Sequence, residues 1–242
     1  SQNYDGECKY TLNSNDNIIV RNEVLNSIGL GIVIRDFKAS SIFQKLVIVE
    51  GKYMDNANFS DLVSPQHFFD KDGLLGSGWS GFVEEQDAEH PIKYYCNKKL
   101  IDRGFGWIRI EDIPKNTEAI PLHKVFIPEA GGSGNDTVIL GVPFYGEPNS
   151  ICSQTYICIG YDANKHNFSK RICENIITYI KTKFFRYLVS VKKKTQHTSS
   201  AVYQLVPLQD FSKSWTDEML YKKYDLSQDE ISFIESMIKA ME

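Results

Sequence analysis

The chain has 242 residues, enough for one large domain or two small ones with a substantial core. Its 42% hydrophobic and 24% charged content is that of an ordinary folded protein, and no apolar run is long enough to span a bilayer. A net charge of −4 excludes a uniformly basic chain, so any affinity for a polyanion must come from a local concentration of charge.

In chain order, the first half reads as β-rich with short helices. NIIV (17–20) is strand-like, and VLNSIG (24–29) is a short helix closed by Gly29. GIVIRD (31–36) and KLVIVEGK (45–52) are apolar, β-branched runs that predict strands. SDLVSPQHFFD (60–70) predicts a helix capped by Ser60 and ending before Pro65. GLLGSGWSGF (73–82) is a glycine-rich loop, and KYYCNKKL (93–100) and GWIRIEDI (106–113) alternate as strands do. In the second half, KVFIP (124–128) and TVILGVPF (137–144) predict strands on either side of the loop EAGGSGND (129–136), and TYICIGY (155–161) a further strand. VYQLVPL (202–208) predicts another strand, with Pro207 at an edge or end. Thr216 caps a first closing helix; Ser227 with Glu230 forms a capping box for a second, Leu226 and Ile231 its hydrophobic staple. Ile113–Pro121 is the candidate boundary between an N-terminal lobe (1–115) and a C-terminal lobe (116–242). The fold class is mixed α/β: a curved, largely antiparallel sheet, a long basic helix and two C-terminal helices.

That basic helix, beginning at the cap Ser169, is the feature around which the reading turns. Ile172, Ile176, Ile180, Phe184, Tyr187, Leu188 and Val191 fall on one face, and Arg171, Lys181, Arg186, Lys192 and Lys193 on the other. Between Lys165 and Ser200 nine Lys or Arg stand against the single acid Glu174, a net of +8, so the rest of the chain sums to −12. Such asymmetry predicts presentation to a polyanion, against the simpler reading of a solvated helix face. Lys192, Lys193, Lys194, Gln196 and His197 follow on one loop; lysines neutralise phosphates, whereas Gln and Arg also pair with base edges. Phe185 sits on the cationic side, where it either wedges against a base or is buried under a neighbouring segment.

Other constellations are weaker. Gly131, Gly132 and Gly134 make a loop that a ligand backbone can approach closely, or a flexible hairpin tip; it is neither a Walker loop nor GxGxxG. Asp36 with Glu50 and Lys52 has the order of a nuclease metal site, in which two carboxylates hold a divalent ion. The five cysteines (8, 96, 152, 158, 173) form no CxxC pair and read as buried thiols of a cytoplasmic protein; the five histidines form no ligand cluster.

FIPEAGGSGND (126–136), PNSICSQTYICIG (148–160), the run from Tyr179 to Ser227 and DEISFIESMI (229–238) resemble the C-terminal part of bacterial adenine-specific DNA methyltransferases of type II restriction–modification systems, some fused to an endonuclease. NFSDLVSP (58–65) and YDGEC (4–8) add shorter likenesses, so the resemblance is collinear over 121–242 and thin before it. It implies a target-recognition domain whose partners are double-stranded DNA and the catalytic domain of the same parent chain. The [DNS]-P-P-[YFW] motif and the F-x-G-x-G turn for S-adenosylmethionine are not in this sequence, which has no Pro-Pro pair. The expectation is a piece of a longer polypeptide, itself catalytically silent and without a cofactor, whose parent uses S-adenosylmethionine. The DNA-binding residues expected are Arg171, Lys181, Arg186, Lys192, Lys193, Lys194, Gln196 and His197, with Gly131, Gly132 and Gly134 as a second jaw. The alternatives are a nuclease using Asp36, Glu50 and Lys52, or a protein-interaction module.

Overall fold

The computed structural model describes residues 7–14, 17–24, 37–48, 58–76, 78–96, 102–131, 139–193 and 197–241. Among these it is a mixed α/β structure of three small, mostly antiparallel sheets and five α-helices. β1 (Glu7–Ser14) and β2 (Asn17–Val24) pair antiparallel in register, Glu7 opposite Val24, and NIIV lies in β2 as predicted. β3 (Ile92–Tyr95) pairs antiparallel with β4 (Phe105–Ile108), and parallel with β7 (Ser150–Cys152), a strand the sequence reading missed. The third sheet has β5 (Lys124–Pro128) at its centre, between β6 (Phe144–Gly146) and β8 (Tyr156–Ile159).

That last sheet divides the core, because successive residues of a strand face opposite sides. Val125, Ile127, Ile157 and Ile159 join the helices in one cluster, whereas Phe126 and Cys158 join Tyr94, Ile108, Ala119 and Ile151 in another. Both clusters draw on residues before and after the 113–121 stretch. At the centre of the helical cluster Phe59 meets the Phe185 ring edge-on, centroids 4.8 Å apart, and touches Tyr179, Tyr203 and Phe211. Phe185 is wholly buried there, so it is packing and not a base wedge.

Several predicted elements take other forms. Lys45–Ile48 belong to helix α1 (Phe37–Ile48), not to a strand, since Ala39, Ile42, Phe43 and Leu46 bury at helical spacing. The helix expected from Ser60 is one 3-10 turn, Phe59–Leu62, capped by the Asn58 side chain, which accepts from Ser60 N. Residues 139–143 form no strand, and in 202–208 a 3-10 turn, Ser200–Tyr203, runs into irregular chain with a single bridge, Asn58 to Pro207. The readings at 24–29 (beyond Val24), 31–36 and 49–52 fall outside the described residues. Helices α4 (Asp217–Lys223) and α5 (Gln228–Met237) start where predicted: Thr216 accepts from Met219 N, and Ser227 with Glu230 completes the capping box. Glu230 also ties α5 to α1 through Ser41 Oγ (2.5 Å) and Lys45 Nζ (2.7 Å).

Candidate nucleic-acid interface

The basic helix is two helices. α2 (Lys170–Lys181) starts at Ser169, whose hydroxyl accepts from Ile172 N, and ends at Thr182; α3 (Lys183–Lys192) begins at once. Thr182 is extended (φ −62°, ψ 149°), and its hydroxyl donates to Tyr179 O while accepting from Phe185 N. Asp217 takes the N–H groups of Lys183 (3.0 Å) and Phe184 (2.8 Å), and Arg186 N reaches Thr182 O. The four donors that open α3 are therefore satisfied from within the protein, and its positive end is answered by a carboxylate rather than offered to a phosphate.

The break turns Arg186 inward. Its side chain is fully buried, donating to Thr182 O, to Lys181 O (3.2 Å) and to Lys239 O (2.7 Å), and burial pulls its pKa below the ordinary arginine value. The expectation that Arg186 meets DNA gives way: it joins α3 to the chain after α5. Lys183 pairs with Glu235 of α5, and Lys192 bonds the Gln204 side chain. Lys193 Nζ donates to both Gly131 O and Ile139 O, the two residues that flank 132–138. Gly131 is itself buried, and a Cβ there would stand 2.3 Å from Gly141 N, so glycine is required by the close passage of two backbones. Four of the nine cations thus hold the fold together.

The remaining surface charge lies on α2 and its approach. Lys165 pairs with Asp162 at 3.4 Å and Lys170 with Glu174 at 3.9 Å, both exposed. Arg171 is exposed and Lys181 half-buried, and neither makes an ion pair among the described residues. The loop before α4 docks beside this face, through Asn175 Nδ2 to Phe211 O (2.9 Å) and Trp215 N to Thr178 Oγ1 (3.5 Å). It adds Lys213, exposed over the Trp215 ring.

His197 is exposed in the chain after α3, where an isolated bridge joins it to Ala130 and Thr198 bonds Glu129 O twice. This pairing brings the end of the basic segment to the end of β5 beside a groove of about 440 Å³, lined by Glu129, His67, Gln154 and His197 together with the more apolar Pro128, Ala130 and Tyr156. Glu129 is buried; its Oε1 takes a hydrogen bond from Gln66 Nε2 and lies 3.5 Å from His197 Nδ1. Sequence reasoning singled out His197 but passed over Glu129, whose only signal was a charge at the exit of a buried strand. Lys194, Gln196, Gly132 and Gly134, like Asp36, Glu50 and Lys52, fall outside the described residues. Among the described residues no group of three or more His, Cys, Asp or Glu is placed to hold a metal, and no helix is long and apolar enough to cross a membrane. No protein-family model matches the sequence, and no curated protein matches it.

Proposed function

We propose that the protein is a DNA-binding, target-recognition module of a restriction–modification adenine methyltransferase, gripping duplex DNA for a catalytic domain that carries S-adenosylmethionine. The observation that carries this reading is the +8 segment in a chain of net −4, together with its sequence likeness to such enzymes. The phosphate-facing residues are Arg171 and Lys181, supported by Lys170 and Lys213. From Arg171 to Lys181 the helix rises about 15 Å, a length over which duplex DNA carries about nine charges. Lys192 and Lys193 hold the fold instead, through Gln204 and the carbonyls of Gly131 and Ile139. Catalysis is left to the partner domain.

The test is fluorescence anisotropy of the chain on duplex DNA at several salt concentrations. The double variant Arg171→Ala/Lys181→Ala should weaken binding to all sequences alike and flatten the salt dependence by about two logarithmic units, near 0.9 per lost phosphate contact. No binding at low salt, or binding indifferent to both residues, refutes the proposal.

A further inference from the structure

Glu129 is an odd side chain to find at the end of a basic segment. A carboxylate repels phosphate, yet this one is 92% buried at the wall of an open groove next to the end of the basic segment. Only Oε1 is engaged, by Gln66 and His197; among the described residues Oε2 has no hydrogen-bond partner. Gln154 and the two histidines add side chains that both donate and accept, set among Pro128, Ala130 and the Tyr156 ring. His67 is held at φ 56°, a left-handed backbone that non-glycine residues seldom adopt.

Resting on the DNA-binding reading, we infer that this groove reads a base edge, with Glu129 accepting a hydrogen bond from the exocyclic amino group of cytosine or adenine. In the major groove a carboxylate matches the cytosine N4 donor, and Gln pairs with adenine N6 and N7. The buried setting sharpens the choice. A duplex closing over the groove strips water from Glu129, so a base presenting a carbonyl there leaves a buried charge facing an acceptor. Gln66 holds the carboxylate in place from behind, its Nε2 also reaching Thr198 O at 3.3 Å. Phosphate is excluded as the ligand by the sign of the charge, and the cations for it lie on α2.

The experiment selects binding sites for the wild-type chain from a pool of randomised duplexes and repeats the selection with Glu129→Gln. The expected result is a wild-type site with at least one position fixed to C or A. The variant, having lost a negative charge at the DNA, should bind the unselected pool at least as tightly as the wild type, yet lose about tenfold or more of its discrimination at that one position. If circular dichroism shows Glu129→Gln to be unfolded, Gln154→Ala carries the same expectation at the same or the adjoining position. An unchanged site profile in a folded variant overturns the inference, even if overall affinity falls, since that is what a structural role would produce. So does a wild-type chain that binds the pool but selects no sequence, a result that leaves the DNA-binding reading standing. Failure of the wild type to bind the pool removes both.

Discussion

Lys124 begins the central strand β5 and is wholly buried, and replacing it with Met makes a sharp test of how the core tolerates charge. Its ammonium donates to Leu122 O (2.7 Å), Ile120 O (3.2 Å) and Glu147 O (3.5 Å). Burial pulls its pKa down from 10.5 to about 8, against the pull of Cys158, Cys152, Cys173 and Glu147. The unfolded chain therefore keeps the proton through a window, pH 8 to 10.5, in which the folded chain releases it, so this group makes stability rise with pH there. Below pH 8 both states are protonated, and the full penalty for burying the ammonium, about 3 kcal/mol, is present. At pH 7 Lys124→Met relieves that penalty but strands Leu122 O, which costs about 1–3 kcal/mol; Ile120 O keeps Asn149 N and Glu147 O keeps Ser150 Oγ. The two proteins should be nearly equal in stability at pH 7. The wild type should then gain on the variant by about 1 kcal/mol at pH 9 and about 3 kcal/mol at pH 10.5. Both proteins also lose stability above about pH 9, because burial pushes the Cys158 and Cys173 thiols up to about 12 and Cys96 up to about 11. That loss is common to the pair and cancels in the difference. Urea unfolding followed by tryptophan fluorescence across pH 7–10.5 measures it, and a gap that stays constant with pH refutes the reasoning.

Thr182→Ala removes the hydroxyl that caps α3 and should cost about 1 kcal/mol in urea unfolding, a loss that Thr182→Ser recovers in large part. Glu230→Gln should cost roughly 1–3 kcal/mol at neutral pH. Burial raises the Glu230 pKa, but the hydrogen bonds from Lys45, Ser41 and Ser227 N outweigh that and hold it below its ordinary 4.5. The wild-type advantage is therefore full above pH 4.5 and lost on acidification, so the two urea midpoints should converge as the pH falls.

How far the sequence revealed this structure depended on whether the deciding partner was near or far along the chain. Thr216, Ser227 with Glu230, and Ser169 cap helices through groups three residues away, and all three were readable. The apolar strand KVFIP was readable for the same local reason. Thr182 was not, because Thr is tolerated inside helices and the carboxylate that completes the α3 start, Asp217, lies 34 residues on. Once the helix breaks there, the wheel drawn through the whole run no longer applies, and Arg186 moves from the expected cationic face to the interior. KLVIVE invited a strand by its β-branched residues, yet Ala39, Ile42, Phe43 and Leu46 bury at helical spacing and the helix runs to Ile48. In VYQLVPL the apolar residues up to Val206 are buried, but they pack from a 3-10 turn ending at Tyr203 and the irregular chain after it instead of along a sheet edge. The groove was least legible of all, since it needs His67, Glu129, Gln154 and His197 from four separate stretches.

The same geometry changes what the charge asymmetry can do. A net of +8 over 36 residues suggests a strong electrostatic grip, but Lys183, Arg186, Lys192 and Lys193 spend their donors on Glu235, on main-chain carbonyls and on Gln204. Lys165 and Lys170 each stand beside a carboxylate, Asp162 and the exposed Glu174. On the proposed DNA-binding reading, few cations among the described residues of this segment are left to meet phosphates, so the salt-dependent, sequence-blind part of binding should be small, because that part grows with the number of phosphates neutralised. A protein so equipped gains little from sliding along DNA on charge alone. On that reading its affinity for DNA would rest more heavily on contacts that depend on sequence, and Glu129 is the acceptor proposed for one. This division predicts that Arg171 and Glu129 variants differ in kind, the first lowering affinity for every duplex and the second changing which duplex is preferred.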